Sequence, residues 1–416
     1  MTNKSNQENQ PSGIRFMVFL VIALIVLAGI AAVWKIIDKR SAPASPEPLP
    51  IARRVLLPVT PLPLERAAER LPHLDDEIPQ FIYEDPSPEE EGSKVRTPPP
   101  GYVVALARLA SLAGRPTRLW EAAALSRMAF EFHYATNPLQ TDLLVNRYVT
   151  LFFRNAALEV VRFSSTWQGP HTIDEAATFL RAQFAANRPV LADHFEWNLL
   201  IGESLEGAAE PQFLVLGTFL SITPVPESRW RGDGWWRRPM FDWVHELVAV
   251  TGVYEQPDKS HQVERAAVAA VVYGSRPLPE IADLPEAYRA HAREMASGPR
   301  AYEQLAKGVE ANRALFWWMA DFPVQRLRFA RACAAAYFRD GALHFQGALR
   351  EHLLKAADAY RAEAEAWDDY VKLGRAGDTE WRRLKVQHIR RAAAHQQQAL
   401  ASLERFYLDL TLKKQL

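Results

Sequence analysis

One cysteine, Cys333, stands in 416 residues, so neither an intrachain disulfide nor a cysteine-built zinc site can form. Its setting in the small-residue run Ala332 to Ala336 reads as buried filler rather than as a nucleophile. An excess of either charge is lacking too, since 49 Lys and Arg balance 49 Asp and Glu. The balance hides a gradient: residues 41–100 are acidic, and the body from Gly101 onward carries an excess of about two positive charges. A body so close to neutral has no net electrostatic pull toward phosphates, and no nucleic-acid partner is expected.

Also missing are a glycine-rich phosphate loop, a dinucleotide fingerprint and a Gly-x-Ser-x-Gly elbow, which argues against nucleotide chemistry and serine hydrolysis on their usual folds. His245-Glu246 begins a zincin pattern, but Ala249 stands where the second histidine ligand belongs. Asp242 and His245 have an i, i+3 ligand spacing without the repeated Glu-x-x-His elements of a di-metal bundle. No metal and no cofactor is expected. Glu131 with His133, and His171 near Asp174 and Glu175, read as ordinary polar residues near helix ends.

What the chain does have begins at Phe16, where nineteen apolar residues run to Trp34. At about 1.5 Å per residue the run spans roughly 28 Å, the hydrocarbon thickness of a bilayer. Residues 14–37 therefore read as a single transmembrane helix behind a short polar tail, 1–13. A cleaved signal peptide competes, because Ala42-Pro43-Ala44 has the small-x-small form, but the apolar stretch exceeds a usual h-region and Lys35, Lys39 and Arg40 precede the site. Basic residues after the span favour a cytoplasmic body by the positive-inside rule, whereas a long spacer and a large C-terminal domain favour an extracytoplasmic one, the orientation adopted as the expectation.

Residues 38–100 read as a disordered tether. Fourteen of 29 prolines lie between Ser41 and Pro100, and Leu71 to Ser93 carries eight carboxylates with no Lys or Arg. Beyond it the periodicity predicts an all-α, irregular helical array in two parts, 101–276 and 277–416, the two forming either separate domains or one. Helices are expected over Tyr102 to Ala113, from Pro116 to about Tyr134, from Asn137 through Val161, from a Thr172/Glu175 capping box to Ala185, over Leu191 to Leu205, Met240 to Tyr254 and Lys259 to Tyr273. In Phe213 to Ile222 a strand competes with a helix.

The C-terminal part reads as a long antiparallel hairpin. Leu349, Leu353, Ala356, Tyr360, Glu363, Trp367 and Tyr370 form one heptad seam, and Val386, Ile389, Ala393, Gln396, Leu400, Leu403, Tyr407 and Leu410 the other. Gly374 to Asp378 supplies the reversal. The hairpin, 343–415, is either a brace packed on its own chain or an arm for a protein partner.

The most unusual composition lies between Arg229 and Trp243. Arg229, Trp230, Arg231, Trp235, Trp236, Arg237, Arg238 and Trp243 alternate indole and guanidinium around glycines and a proline, which suits stacking and bidentate capture of an anionic or sugar-like ligand, and equally suits packing the loop onto the body. Asp193, Glu196 and Glu203, three and seven apart on an expected helix, share a face that suits acid–base work or plain solvation. No motif identifies a reaction. The features imply a membrane-anchored helical binding or scaffold protein of the cell envelope. The alternatives are an envelope hydrolase or lyase acting on a glycan or lipid-linked substrate, and a membrane-tethered cytoplasmic adaptor.

Overall fold

A computed structural model describes residues 100–134, 145–164, 173–194, 196–204, 210–216, 222–226, 246–275, 295–311, 317–373 and 379–415, with two short strands at 82–84 and 94–96. These fall within one unit, Val55–Leu416. The expected membrane helix, most of the tether, the Trp/Arg loop and the Gly374 to Asp378 reversal lie outside the described residues.

The described chain is helix-rich, and the all-α expectation holds only in part, because the same chain also forms a six-stranded antiparallel sheet. In chain order the elements are β1 (Ile82–Glu84), β2 (Lys94–Arg96), α1 (Gly101–Leu112), α2 (Leu119–Leu125), β3 (His133–Tyr134), α3 (Val145–Asn155), β4 (Leu158–Ser164), α4 (Ile173–Ala185), β5 (Val190–His194), β6 (Glu196–Ser204), β7 (Gln212–Leu216), β8 (Ile222–Pro226), β9 (Glu246–Val253), α5 (Lys259–Ser275), β10 (Ala296–Ser297), α6 (Pro299–Glu310), α7 (Trp317–Gly341), α8 (Gly347–Lys372) and α9 (Thr379–Gln415). The large sheet runs β4-β9-β5-β6-β7-β8; β1 pairs with β2 and β3 with β10, both antiparallel.

Over their described residues two expected helices are strands and a third is helix followed by strand. Leu191 to Ser204 belongs to the β5–β6 hairpin, Met240 to Tyr254 yields β9, and among the described residues after Asn137 the helix α3 gives way to β4. The cause is burial on both faces. Leu191, Trp197, Leu199, Ile201, Val248 and Val250 pack into the core that includes α1, while Val190, Ala192, Leu200, Phe213, Leu247 and Ala249 pack under Ala176 and Leu180 of α4. A strand buried on both sides loses the apolar/polar alternation that marks a strand in sequence and reads as an unbroken apolar run. In Phe213 to Ile222 the strand wins over the described positions, as the end of β7 and the start of β8. The helix from Pro116 is shorter than expected: α2 stops at Leu125, and Arg127, at φ 68°, turns the chain toward β3.

The C-terminal hairpin is present. α8 has 26 residues and α9 has 37, about 39 and 56 Å at 1.5 Å per residue. The seam of α8 is buried along its whole predicted length, Glu363 included. On α9 the seam holds through Leu403; Tyr407 is turned out, and Phe406 takes its place, edge-on to Phe345 at 5.1 Å. The hairpin packs on its own chain: α7 lies along α8, and α5 and α6 pack against α9. At the end of α7, Gly341 lets α5 approach so closely that a Cβ there would meet Val263 Cγ2 at 2.7 Å. Cys333 is buried in this core, as its small-residue setting suggests.

Candidate functional site

The most chemically organised cluster among the described residues forms where β3 meets β10. The register sets Ser297 directly opposite His133 and Ala296 opposite Tyr134. His133 Nδ1 lies 2.8 Å from Ser297 Oγ, and His133 Nε2 lies 2.9 Å from Glu131 Oε2. Arg147, from the first turn of α3, grips the same carboxylate with both terminal nitrogens, Nη1 to Oε2 at 2.6 Å and Nη2 to Oε1 at 3.1 Å. All four residues are buried.

Local structure explains how these groups meet. The left-handed Arg127 ends α2, so residues 128–132 leave the helix and bring Glu131 and His133, two apart on extended chain, into the interior. Phe132 O accepts the amide of Gly298 at 3.0 Å, which pins the β10 end to the β3 end. Gly298, at φ 56°, makes the corner into α6, whose first residue is Pro299, a position suited to proline. From the far side Arg331 of α7 donates to Ala129 O at 2.7 Å and through Nε to Glu363 Oε1 at 2.8 Å; Tyr302 Oη also donates to that oxygen at 2.5 Å. A continuous polar path thus links the β3 segment to the seam of α8.

Electrostatics favours the ionised form of Glu131. Burial opposes ionisation of Glu131, but Arg147 and His133 outweigh it and hold its carboxyl down at about 2. Ionised, Glu131 only accepts hydrogen bonds, so His133 Nε2 carries the proton toward it. In a ring with its proton on Nε2, Nδ1 is an acceptor for the Ser297 hydroxyl. Burial pulls Arg147 down while Glu131 pulls it up more strongly, and its guanidinium also lies 5.4 Å from the Tyr273 ring centroid. The arrangement is a carboxylate, an imidazole and a serine hydroxyl in series.

No family model matches this chain. No curated protein matches it either. What it does rests on its own geometry.

The sequence-picked residues fare differently. Arg229, Trp230, Arg231, Trp235, Trp236, Arg237, Arg238 and Trp243 lie outside the described residues. Asp193, Glu196 and Glu203 do not share a helix face, because they sit on the β5–β6 hairpin: Asp193 opposite Trp197, Glu196 opposite His194, and Glu203 at the far end of β6 opposite Phe213. Glu203 instead accepts from Arg181 of α4 at 3.2 Å. At the near end Asp193 also pairs in register with Glu246, whose carboxylate accepts from Arg162 Nη1 at 2.5 Å. Among the described residues no group of three or more potential metal ligands gathers.

Read from the sequence, Glu131 and His133 look like ordinary polar residues, and nothing singles out Ser297. A separation of 164 residues hides the His133–Ser297 pair, and no local spacing marks it. The one usable signal is the polar pair Glu131/His133 inside an otherwise apolar stretch, since buried polar groups come with partners.

Proposed function

We propose that this protein is a membrane-tethered binding protein of the cell envelope. Its helix-rich body is held off the bilayer by a proline-rich, acidic spacer, and residues 14–37 form the anchor. The observation that carries this reading is the nineteen-residue apolar run Phe16 to Trp34, followed directly by a segment holding 14 prolines. No helix among the described residues is long and apolar enough to cross a membrane, and the run lies outside them. The body is assigned to the extracytoplasmic side, where a long spacer serves to stand a domain off the surface.

Partner contact is assigned to the end of the hairpin. Among the described residues, the large apolar side chains left exposed are Leu343, Tyr407, Leu408 and Leu412, all within 343–415. Leu408 and Leu412 are four apart on α9 and so share a face. Exposed leucines grouped on one face support a protein contact better than scattered single ones do.

A topology assay tests the proposal, with a reporter fused after Leu416 and a membrane-impermeant label on a cysteine introduced in the tether. The expected result is label uptake in intact cells and reporter activity only for a reporter that works outside the cytoplasm. A reporter active only in the cytoplasm would remove the envelope reading and leave a tethered adaptor for cytoplasmic partners.

A further inference from the structure

The series Glu131, His133, Ser297 has the connectivity of a nucleophilic triad, and we propose that Ser297 is an acyl-accepting nucleophile activated by His133. The inference goes beyond the tethered-binding reading and does not depend on it. Three observations carry it. Ser297 Oγ and His133 Nδ1 are at proton-transfer distance, 2.8 Å, and the second ring nitrogen is oriented by a carboxylate at 2.9 Å. Arg147 keeps that carboxylate ionised, so it never competes for the base as an acid. Ser297 also ends a strand and is followed by Gly298 at positive φ and then by a twelve-residue helix, so the nucleophile stands at a strand-to-helix corner.

In the reaction, Ser297 Oγ attacks the carbonyl carbon of an ester while its proton passes to His133 Nδ1. The tetrahedral oxyanion collapses, the bond from carbon to the leaving oxygen breaks, and the imidazolium returns the proton to the departing alcohol. Water then attacks the acyl-serine by the same route in reverse and releases the acid, with no oxidant or reductant. Glu131 does not take the proton; it orients the ring and balances the transient imidazolium. Phe132 and Tyr302, both buried, belong to the same apolar cluster as Tyr134 and Ala296 of the two strands.

The test uses the full chain and a fluorophosphonate probe, in which Oγ displaces fluoride from phosphorus, with the adduct mapped by peptide mass spectrometry. The expected result is a single adduct on Ser297, absent in Ser297→Ala, and forming about 100-fold more slowly or worse in His133→Asn, the typical loss when a general base is removed. Mapping on the wild-type chain decides the assignment even where a variant fails to fold. Circular dichroism of the same samples establishes that each labelled protein is folded. A folded wild-type chain with no adduct at Ser297, or one labelled at an undiminished rate in a folded His133→Asn protein, overturns the assignment and leaves the cluster as a structural tie between β3 and β10.

Discussion

Glu131 and Glu246 are both buried carboxylates paired with arginine, yet their surroundings send them in opposite directions. Glu131 has a two-pronged guanidinium and an imidazole and is held at about 2, below its ordinary 4.5. A carboxyl lowered by folding adds stability that is complete above its unfolded value and is lost as pH falls from about 4.5 toward 2. The shift corresponds to on the order of 3 kcal/mol, and urea midpoints measured between pH 5 and pH 2.5 should fall accordingly. Arg147→Ala should cost ~3–5 kcal/mol at neutral pH, because it leaves the Glu131 charge buried without its main partner. Glu246 has a single arginine contact, and burial outweighs it, so its carboxyl is raised. The sign reverses: its contribution is fully present below the unfolded value and is lost as pH rises through the folded one. Glu246→Gln should flatten that part of the stability profile, and an unchanged slope in the variant would contradict the assignment.

Between elements, two contacts decide how the helices sit. Gln396 occupies a seam position of α9, is 1% exposed, and its Nε2 has no hydrogen-bond partner among the described residues. Gln396→Leu should therefore stabilise the body by ~1–2 kcal/mol, read as a raised thermal midpoint, since an unpaired buried amide costs about that much. A lowered midpoint would mean that the amide is paired. Gly341→Ala should destabilise by ~1–3 kcal/mol, because its Cβ would sit 2.7 Å from Val263 Cγ2 on α5. The hairpin was legible in the sequence because a heptad seam repeats over many turns: Leu353, Tyr360 and Trp367 declared their face without any knowledge of what covers it. The sheet was not legible. Leu199, Leu200 and Ile201, with Val248, Ala249 and Val250, are apolar on consecutive positions because α1 and α4 cover opposite faces, and such a run carries no period. The site was half legible: Glu131 and His133 are visible as a polar pair, but their partners Arg147 and Ser297 arrive by tertiary folding alone.

In the molecule as a whole, an apolar N-terminal run, a proline-rich spacer and a folded body follow one another along the chain. Limited proteolysis of the full chain should cut first between about residues 41 and 81, ahead of the β1–β2 pair, and leave a resistant fragment that contains the body from Gly101, because that stretch is rich in proline. That fragment should show mixed helix and strand by circular dichroism, in keeping with the six-stranded sheet packed among the helices. The most direct test of the tether is membrane fractionation with an alkaline carbonate wash, comparing the full chain with one that starts at Ser41. If residues 14–37 anchor the protein, the full chain stays in the pellet while the shortened chain, folded by its melting curve, moves entirely to the supernatant. A full chain released by the wash, or a shortened chain that remains in the pellet, would contradict the anchor.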